Sequence, residues 1–151
     1  MQTIYSILVV IHIFSAIVGI GPGFILTTIV KSAKTMEEIR HAFILKTKVH
    51  VFVMIGGILV LVTGFAMGLI RPYLFNQGWY ITSMLLYFLA LALGPTLLKK
   101  YSYPIKQIIQ NKDRNDVPKE YFTHLNKLLK VEYVENTLLI CVIILMILKP
   151  F

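Results

Sequence analysis

A single cysteine, Cys141, in 151 residues leaves no internal disulfide and no zinc or iron–sulfur site built from several thiolates. Acidic residues are scarce, 7 against 15 lysines and arginines. Charged residues of both signs make up 15% of the chain, below the roughly one quarter usual in a soluble domain. Hydrophobic residues reach 57%, which also excludes intrinsic disorder. No HExxH, GxSxG, Walker-type loop or cysteine-pair motif is present, so the reactions those motifs serve have no signature here. No repeat on the scale of roughly 20–50 residues occurs. The length allows one domain, 1–151.

What the chain does have is four long apolar runs, at 4–30, 49–70, 79–98 and 131–148. Each is long enough, at about 18–20 residues or more, to cross a hydrocarbon core of about 30 Å as a helix. The second and third carry no charge; the fourth has Glu132 and Glu135 near its start. The first lacks a basic leader and exceeds the usual signal-peptide apolar length, so it reads as a span and not as a cleaved signal.

The positive residues are unevenly shared. Segments 31–48 and 99–130 hold thirteen of them; the other side has only Arg71 and Lys149. The positive-inside rule predicts that connections 1–2 and 3–4 face the cytoplasm and both termini lie outside. That describes a multi-pass protein of the plasma membrane, of the bacterial inner-membrane type. The net charge of +8 and pI near 9.6 are this asymmetry, with bases set against anionic headgroups. They do not indicate nucleic-acid binding.

Two cytoplasmic extensions are expected. Thr35-Met-Glu-Glu38 fits a capping box, and no glycine or proline interrupts 36–55, so the second helix starts near Met36. Asp116-Val-Pro118 is a second start signal, followed by Phe122, Leu125 and Leu129 at helical spacing. Residues 111–116 form a polar turn. Pro104 is expected to end or bend the third helix's extension, and Gly21-Pro22-Gly23 and Gly94-Pro95 to bend the first and third helices. The fold predicted is an all-α four-helix transmembrane bundle, with helices 2 and 4 extended into the cytoplasm.

Two polar layers stand out inside it. Counting from the outer boundaries puts His12, Thr63, Tyr87 and Cys141 at one depth, with His12 within reach of Tyr87. His12, Ser15, Gly19 and Gly23 share a face at spacings of 3, 4 and 4. Small residues at that spacing allow close helix packing, and equally leave room for a flat ligand; the sequence keeps both open. The inner layer holds His50, Glu132, Glu135, Asn136, Thr27 and Thr28, with His50 and Glu135 as a candidate proton-sharing pair. Ionisable groups inside a membrane are costly and face a cavity or a partner. His12 and His50 lie in opposite halves, which argues against bis-histidine haem. A haem on His12 alone, or with Tyr87 or Cys141 opposite, stays open. Aromatics near the span ends, such as Tyr5, Tyr73, Trp79, Tyr80 and Tyr101, read as an interfacial belt.

His12-Ile-Phe-Ser-Ala-Ile-Val-Gly-Ile-Gly-Pro22 resembles the first helix of the small integral membrane proteins called domain of unknown function 2269. The basic lead into the helix around His50 and the terminal Lys149-Pro150 resemble that family too. The family is similar, more distantly, to HemJ-type protoporphyrinogen oxidases and CopD-type copper-resistance proteins. The resemblance implies a haem b or porphyrin near His12, with His12 as the candidate iron ligand; the shared face and depth add Ser15, Gly19 and Tyr87 as candidate lining. Where the HemJ-type first helix ends in Leu-Pro-Arg, this chain has Gly23-Phe-Ile-Leu-Thr-Thr28. No clustered Met or His ligands outside the membrane support copper. Two functions are therefore expected in parallel. One is a haem- or porphyrin-binding membrane protein. The other is a non-catalytic partner subunit or small-solute permease with His12 in a structural hydrogen bond. The lipid bilayer is the evident partner; a second copy or another membrane protein is an open one.

Overall fold

The computed structural model describes residues 2–111 and 116–150. Its helices are α1 (Gln2–Ser32), α2 (Met36–Ile70), α3 (Gly78–Leu93), α4 (Lys99–Gln110) and α5 (Lys119–Leu148). A 3₁₀ turn, Pro72–Asn76, links α2 to α3, and a single π turn, Gly94–Leu98, joins α3 to α4. Among the described residues there is no strand. With α3 and α4 counted as one rod, four helices are long and apolar enough to cross a membrane. The fold is an all-α transmembrane bundle. Of the polar turn expected over 111–116, residues 112–115 lie outside the described residues.

The ends follow local chemistry. The amide of Glu38 donates to the Thr35 hydroxyl (3.2 Å), and the Glu38 carboxylate accepts from the amides of Thr35 (3.2 Å) and Lys34 (2.7 Å). This is the expected capping box. Pro118 takes the extended cap position (φ −70°, ψ 148°), and α5 starts at Lys119, with no side-chain cap. Gly94-Pro95 does disturb the third rod. Pro95 has no N–H to give, and the Lys99 N–H reaches back five residues to the Gly94 carbonyl. Pro104 does not end the rod: α4 runs on to Gln110. Its neighbour Ile105 is fully buried against α2 and α5 residues, and that packing offsets the missing hydrogen bond. Helix α1 likewise passes through Pro22 without a break.

Packing differs sharply between the two ends. At the end carrying the basic segments, Val30, Met36, Ile39, Ala42, Phe43, Ile105, Tyr121, Leu125, Leu128 and Leu129 form one apolar cluster. Most of it belongs to the extensions of α2, α4 and α5, beyond the apolar runs, where water drives apolar association. Inside the spans many large apolar side chains point outward: Phe14, Ile17, Ile25, Phe52, Leu85 and Ile147 are all exposed on the bundle surface. Lipid tails solvate them as well as a protein core does, and smaller clusters, around Val60, Tyr87 and Val142 and around Met67, Trp79 and Tyr80, are buried there beside the small residues. Helix α1 packs chiefly on α2, and α3 chiefly on α5, with fewer contacts between the pairs.

Candidate functional site at the seam between the helix pairs

The α1–α2 pair has a fixed antiparallel register. His12 meets Thr63 and, seven residues on, Gly19 meets Gly56. At Gly19 the approach is backbone to backbone. A Cβ built there would lie 2.7 Å from the Gly57 nitrogen, and one on Gly56 would lie 2.5 Å from the Gly19 nitrogen. Ser15 is buried on the same face, its carbonyl 2.9 Å from the Cβ position of Gly56. Of the two openings the sequence left for this face, close helix contact is what occupies it at Ser15 and Gly19. Gly23 is looser; its nearest neighbour is the Asn136 side-chain oxygen at 3.6 Å from the Cβ position.

His12 finds a different partner from the tyrosine that depth counting suggested. Its Nδ1 lies 2.8 Å from the Thr63 hydroxyl, which itself lies 2.6 Å from the Leu59 carbonyl. A hydroxyl has one hydrogen to give, and Leu59 takes it. Nδ1–H of His12 is therefore the donor to Thr63, and Nε2 keeps the lone pair. The ring edge rests on Gly64, 3.4 Å from its Cβ position.

Tyr87 donates instead to the Gly57 carbonyl (2.8 Å), and Tyr80, seven residues earlier, to the Gly64 carbonyl (2.7 Å). Two equal steps on α3 and α2 define a second register. The 3₁₀ turn Pro72–Asn76 links the two helices at that end, with Leu74 buried. Cys141 is exposed on the bundle surface, away from His12.

The inner layer is where charge gathers. Glu132 is buried; Lys46 forms an ion pair with its Oε1, and the Thr27 hydroxyl donates to its Oε2 at 2.9 Å. Three helices, α1, α2 and α5, thus meet on one carboxylate. The expected His50–Glu135 pair does not form. His50 is exposed, and the charged groups facing it are Lys46 and Lys106. Lys46 and His50 sit one turn apart on α2, and the lysine's longer side chain reaches the bundle interior first. Sequence reading passed over Lys46 because it precedes the apolar run at 49–70; its depth beside Glu132 was the available signal.

Glu135 sits one turn further into the span than Glu132 and is half-buried. Lys46 faces it from α2, Tyr87 from α3 and Glu132 from its own helix. On α1 the neighbouring layer offers Thr27 and Gly23 and no charge. Among the described residues no hydrogen bond or ion pair reaches the Glu135 carboxylate. Asn136 lies beside it, its side-chain oxygen against Gly23. Glu132 is fully answered, while its neighbour is not.

A porphyrin does not fit the residues assigned to it. His12 could offer Nε2, but the Ser15–Gly19 face that would receive the ring is closed by the α2 backbone. The Tyr87 hydroxyl is committed to Gly57 and Cys141 points outward. No cluster of three or more His, Cys, Asp or Glu suited to a metal occurs among the described residues.

Comparison with known proteins returns a family match over nearly the whole chain. The family described as "Predicted integral membrane protein (DUF2269)" matches residues 6–150. No curated protein and no solved structure matches, so the more distant likeness to HemJ-type and CopD-type proteins gains nothing from them. With four membrane-crossing helices and a match from residue 6 to residue 150, the chain belongs to the domain of unknown function 2269 family of integral membrane proteins.

Proposed function

We propose that the protein is a small-solute permease that works with protons and without a resident cofactor, and that Glu135 is its proton-exchanging group. The observation that carries this reading is the contrast between two carboxylates one helical turn apart. Glu132 has a lysine and a hydroxyl, and holds α1, α2 and α5 together. Glu135 has neither, yet it lies inside a membrane span, where an unanswered carboxylate is expensive and marks an ion or proton path. Its missing partner comes from solution.

Its position suits that task. The seam between the α1–α2 pair and the α3–α5 pair is the less packed contact of the bundle, and Glu135 lies on it, opposite Tyr87 and Lys46. The charge bias of the connections supports an orientation in the plasma membrane with the basic end in the cytoplasm and both termini outside. Glu135 then communicates with the cytoplasmic side of the seam.

Proton entry into proteoliposomes tests this. The purified protein is reconstituted with pyranine inside, and a potassium gradient with valinomycin imposes the driving force. Wild type should admit protons faster than empty vesicles, and Glu135→Gln should return the rate to that of empty vesicles. Glu120→Gln, on the first turn of α5, should behave as wild type. Equal rates for wild type and Glu135→Gln would refute the assignment. A haemin titration run alongside should show no Soret change that depends on His12.

A further inference from the structure

Helix α4 does not simply continue α3 into solution. It lies beside the extension of α2, and Arg40 ties the two. Arg40 Nη2 donates to the Asn111 carbonyl (2.8 Å) and Nε to the Ile109 carbonyl (3.3 Å), at the C-terminal end of α4. Those are carbonyls a helix leaves unanswered. Between the two helices this leaves an open cleft of about 400 Å³, lined by Arg40, Phe43, Ile44, Thr47, Lys48 and Lys106, together with the end of α4. Among the described residues lining it, Lys48 and Lys106 join Arg40 and none is acidic. The larger cleft on α2 contains both Glu37 and Glu38.

The depth of the cleft fits one class of occupant. Lys48 lies 22 residues from Ile70, about 33 Å along a helix, and Arg40 lies 30 residues from it, about 45 Å. Measured from the far edge of a hydrocarbon core of about 30 Å, the near headgroup layer, about 5–7 Å thick, begins at about 30 Å, so Lys48 lies within it and Arg40 on its water side. The cleft therefore opens from the headgroup layer toward water. Above it, Ile44, Lys48, Val51 and Ile55 follow each other at spacings of 4, 3 and 4, a single helix face. Val51 and Ile55 are exposed, as acyl chains require.

We infer that this cleft binds the headgroup of an anionic phospholipid, its phosphate between Lys48 and Lys106, its chains along Val51 and Ile55. Arg40 fixes the wall by holding α4 against α2, and Phe43 and Ile44 form the apolar floor under the glycerol. The bound lipid would brace α4 against α2. This site is separate from Glu135 and stands or falls independently of the permease reading.

The test uses the full-length protein in a neutral detergent with dioleoyl-phosphatidylglycerol or dioleoyl-phosphatidylcholine added, read by native mass spectrometry and by thermal melting. Phosphatidylglycerol should be retained and should raise the melting temperature; phosphatidylcholine should do neither. The double variant Lys48→Gln/Lys106→Gln should bind phosphatidylglycerol about thirty-fold more weakly, the share expected of two basic contacts at a membrane surface. Lys127→Gln/Lys130→Gln removes the same charge from α5 and should bind as wild type. Equal losses in both double variants would show a diffuse basic surface and overturn the site. Equal protection by inorganic phosphate alone would overturn the lipid assignment, as would equal retention of the two phospholipids.

Discussion

Gly19→Ala is the smallest change that tests how the membrane part of the bundle is held. The added methyl would sit 2.7 Å from the Gly57 nitrogen and 2.8 Å from the Gly56 carbonyl carbon. Ordinary contact for a methyl is about 3.5–4.0 Å, so α1 and α2 must part by about 1 Å. Both clashing atoms are backbone, and no rotamer change relieves them. Parting the helices also stretches the His12–Thr63 hydrogen bond, two turns along the same register. The expected loss is about 1–3 kcal/mol, the range for overpacking. Lipid offers no hydrophobic compensation, because it solvates the separated faces equally well. Gly21 supplies the control: a Cβ there meets nothing within 4 Å. Gly21→Ala should gain up to about 1 kcal/mol, the helix-propensity difference. Unfolding by SDS titration in mixed micelles, followed by circular dichroism, reads both. If Gly19→Ala is as stable as Gly21→Ala, the glycine contact is not what joins α1 to α2.

Three further outcomes follow from the same contacts. Lys46→Met leaves Glu132 buried without its counter-charge and should cost about 3–5 kcal/mol, whereas Lys46→Met/Glu132→Leu should recover most of it; SDS titration of the three variants checks the non-additivity. Tyr121, on the extension of α5 outside the apolar run, is fully buried with its hydroxyl unbonded among the described residues, and burial pushes its pKa up to about 12. Tyr121→Phe removes an unsatisfied polar atom and should stabilise by about 1 kcal/mol or more in the same titration. Glu38, also outside the spans, is held below the usual glutamate pKa by the amides of Lys34 and Thr35. A lowered folded pKa means that its contribution is complete above the ordinary glutamate range and disappears as pH falls through the lowered value. Hydrogen exchange at the amides of Lys34, Thr35 and Glu38 should therefore accelerate, relative to intrinsic rates, only on the acid side of that range.

Much of this architecture is legible from residue order. Hydropathy gives the four rods, because a backbone crossing lipid must satisfy its own hydrogen bonds as helix. Thr35 and Glu38 mark the start of α2, since a capping box is a local device that tertiary packing does not alter. The partners across helices were harder to read. Counting from span ends put Thr63 and Tyr87 alike at the depth of His12 but could not choose between them: His12 bonds Thr63, and the Tyr87 hydroxyl goes to the Gly57 carbonyl. In the inner layer Thr27 and Glu132 do meet, whereas His50 and Glu135 do not pair. Lys46 and His50 sit one turn apart on α2, and the lysine, outside the apolar run, is the one that reaches Glu132. Which side of a helix a residue faces depends on its rotation against neighbours, and a nearly all-apolar span carries little periodicity to show it. The spacing of Ser15, Gly19 and Gly23 was equally silent on cavity versus contact; the answer came from Gly56 on the facing helix.

The most direct measurement of the central claim is infrared difference spectroscopy of the protein in bilayers between acid and neutral buffer, on wild type, Glu132→Gln and Glu135→Gln. The account predicts one component of the pH-dependent carboxyl C=O absorption that is lost in Glu135→Gln and kept in Glu132→Gln. An absorption that Glu135→Gln leaves unchanged, or from which Glu132→Gln alone removes a component, would contradict the assignment of Glu135 as the group that exchanges a proton with water.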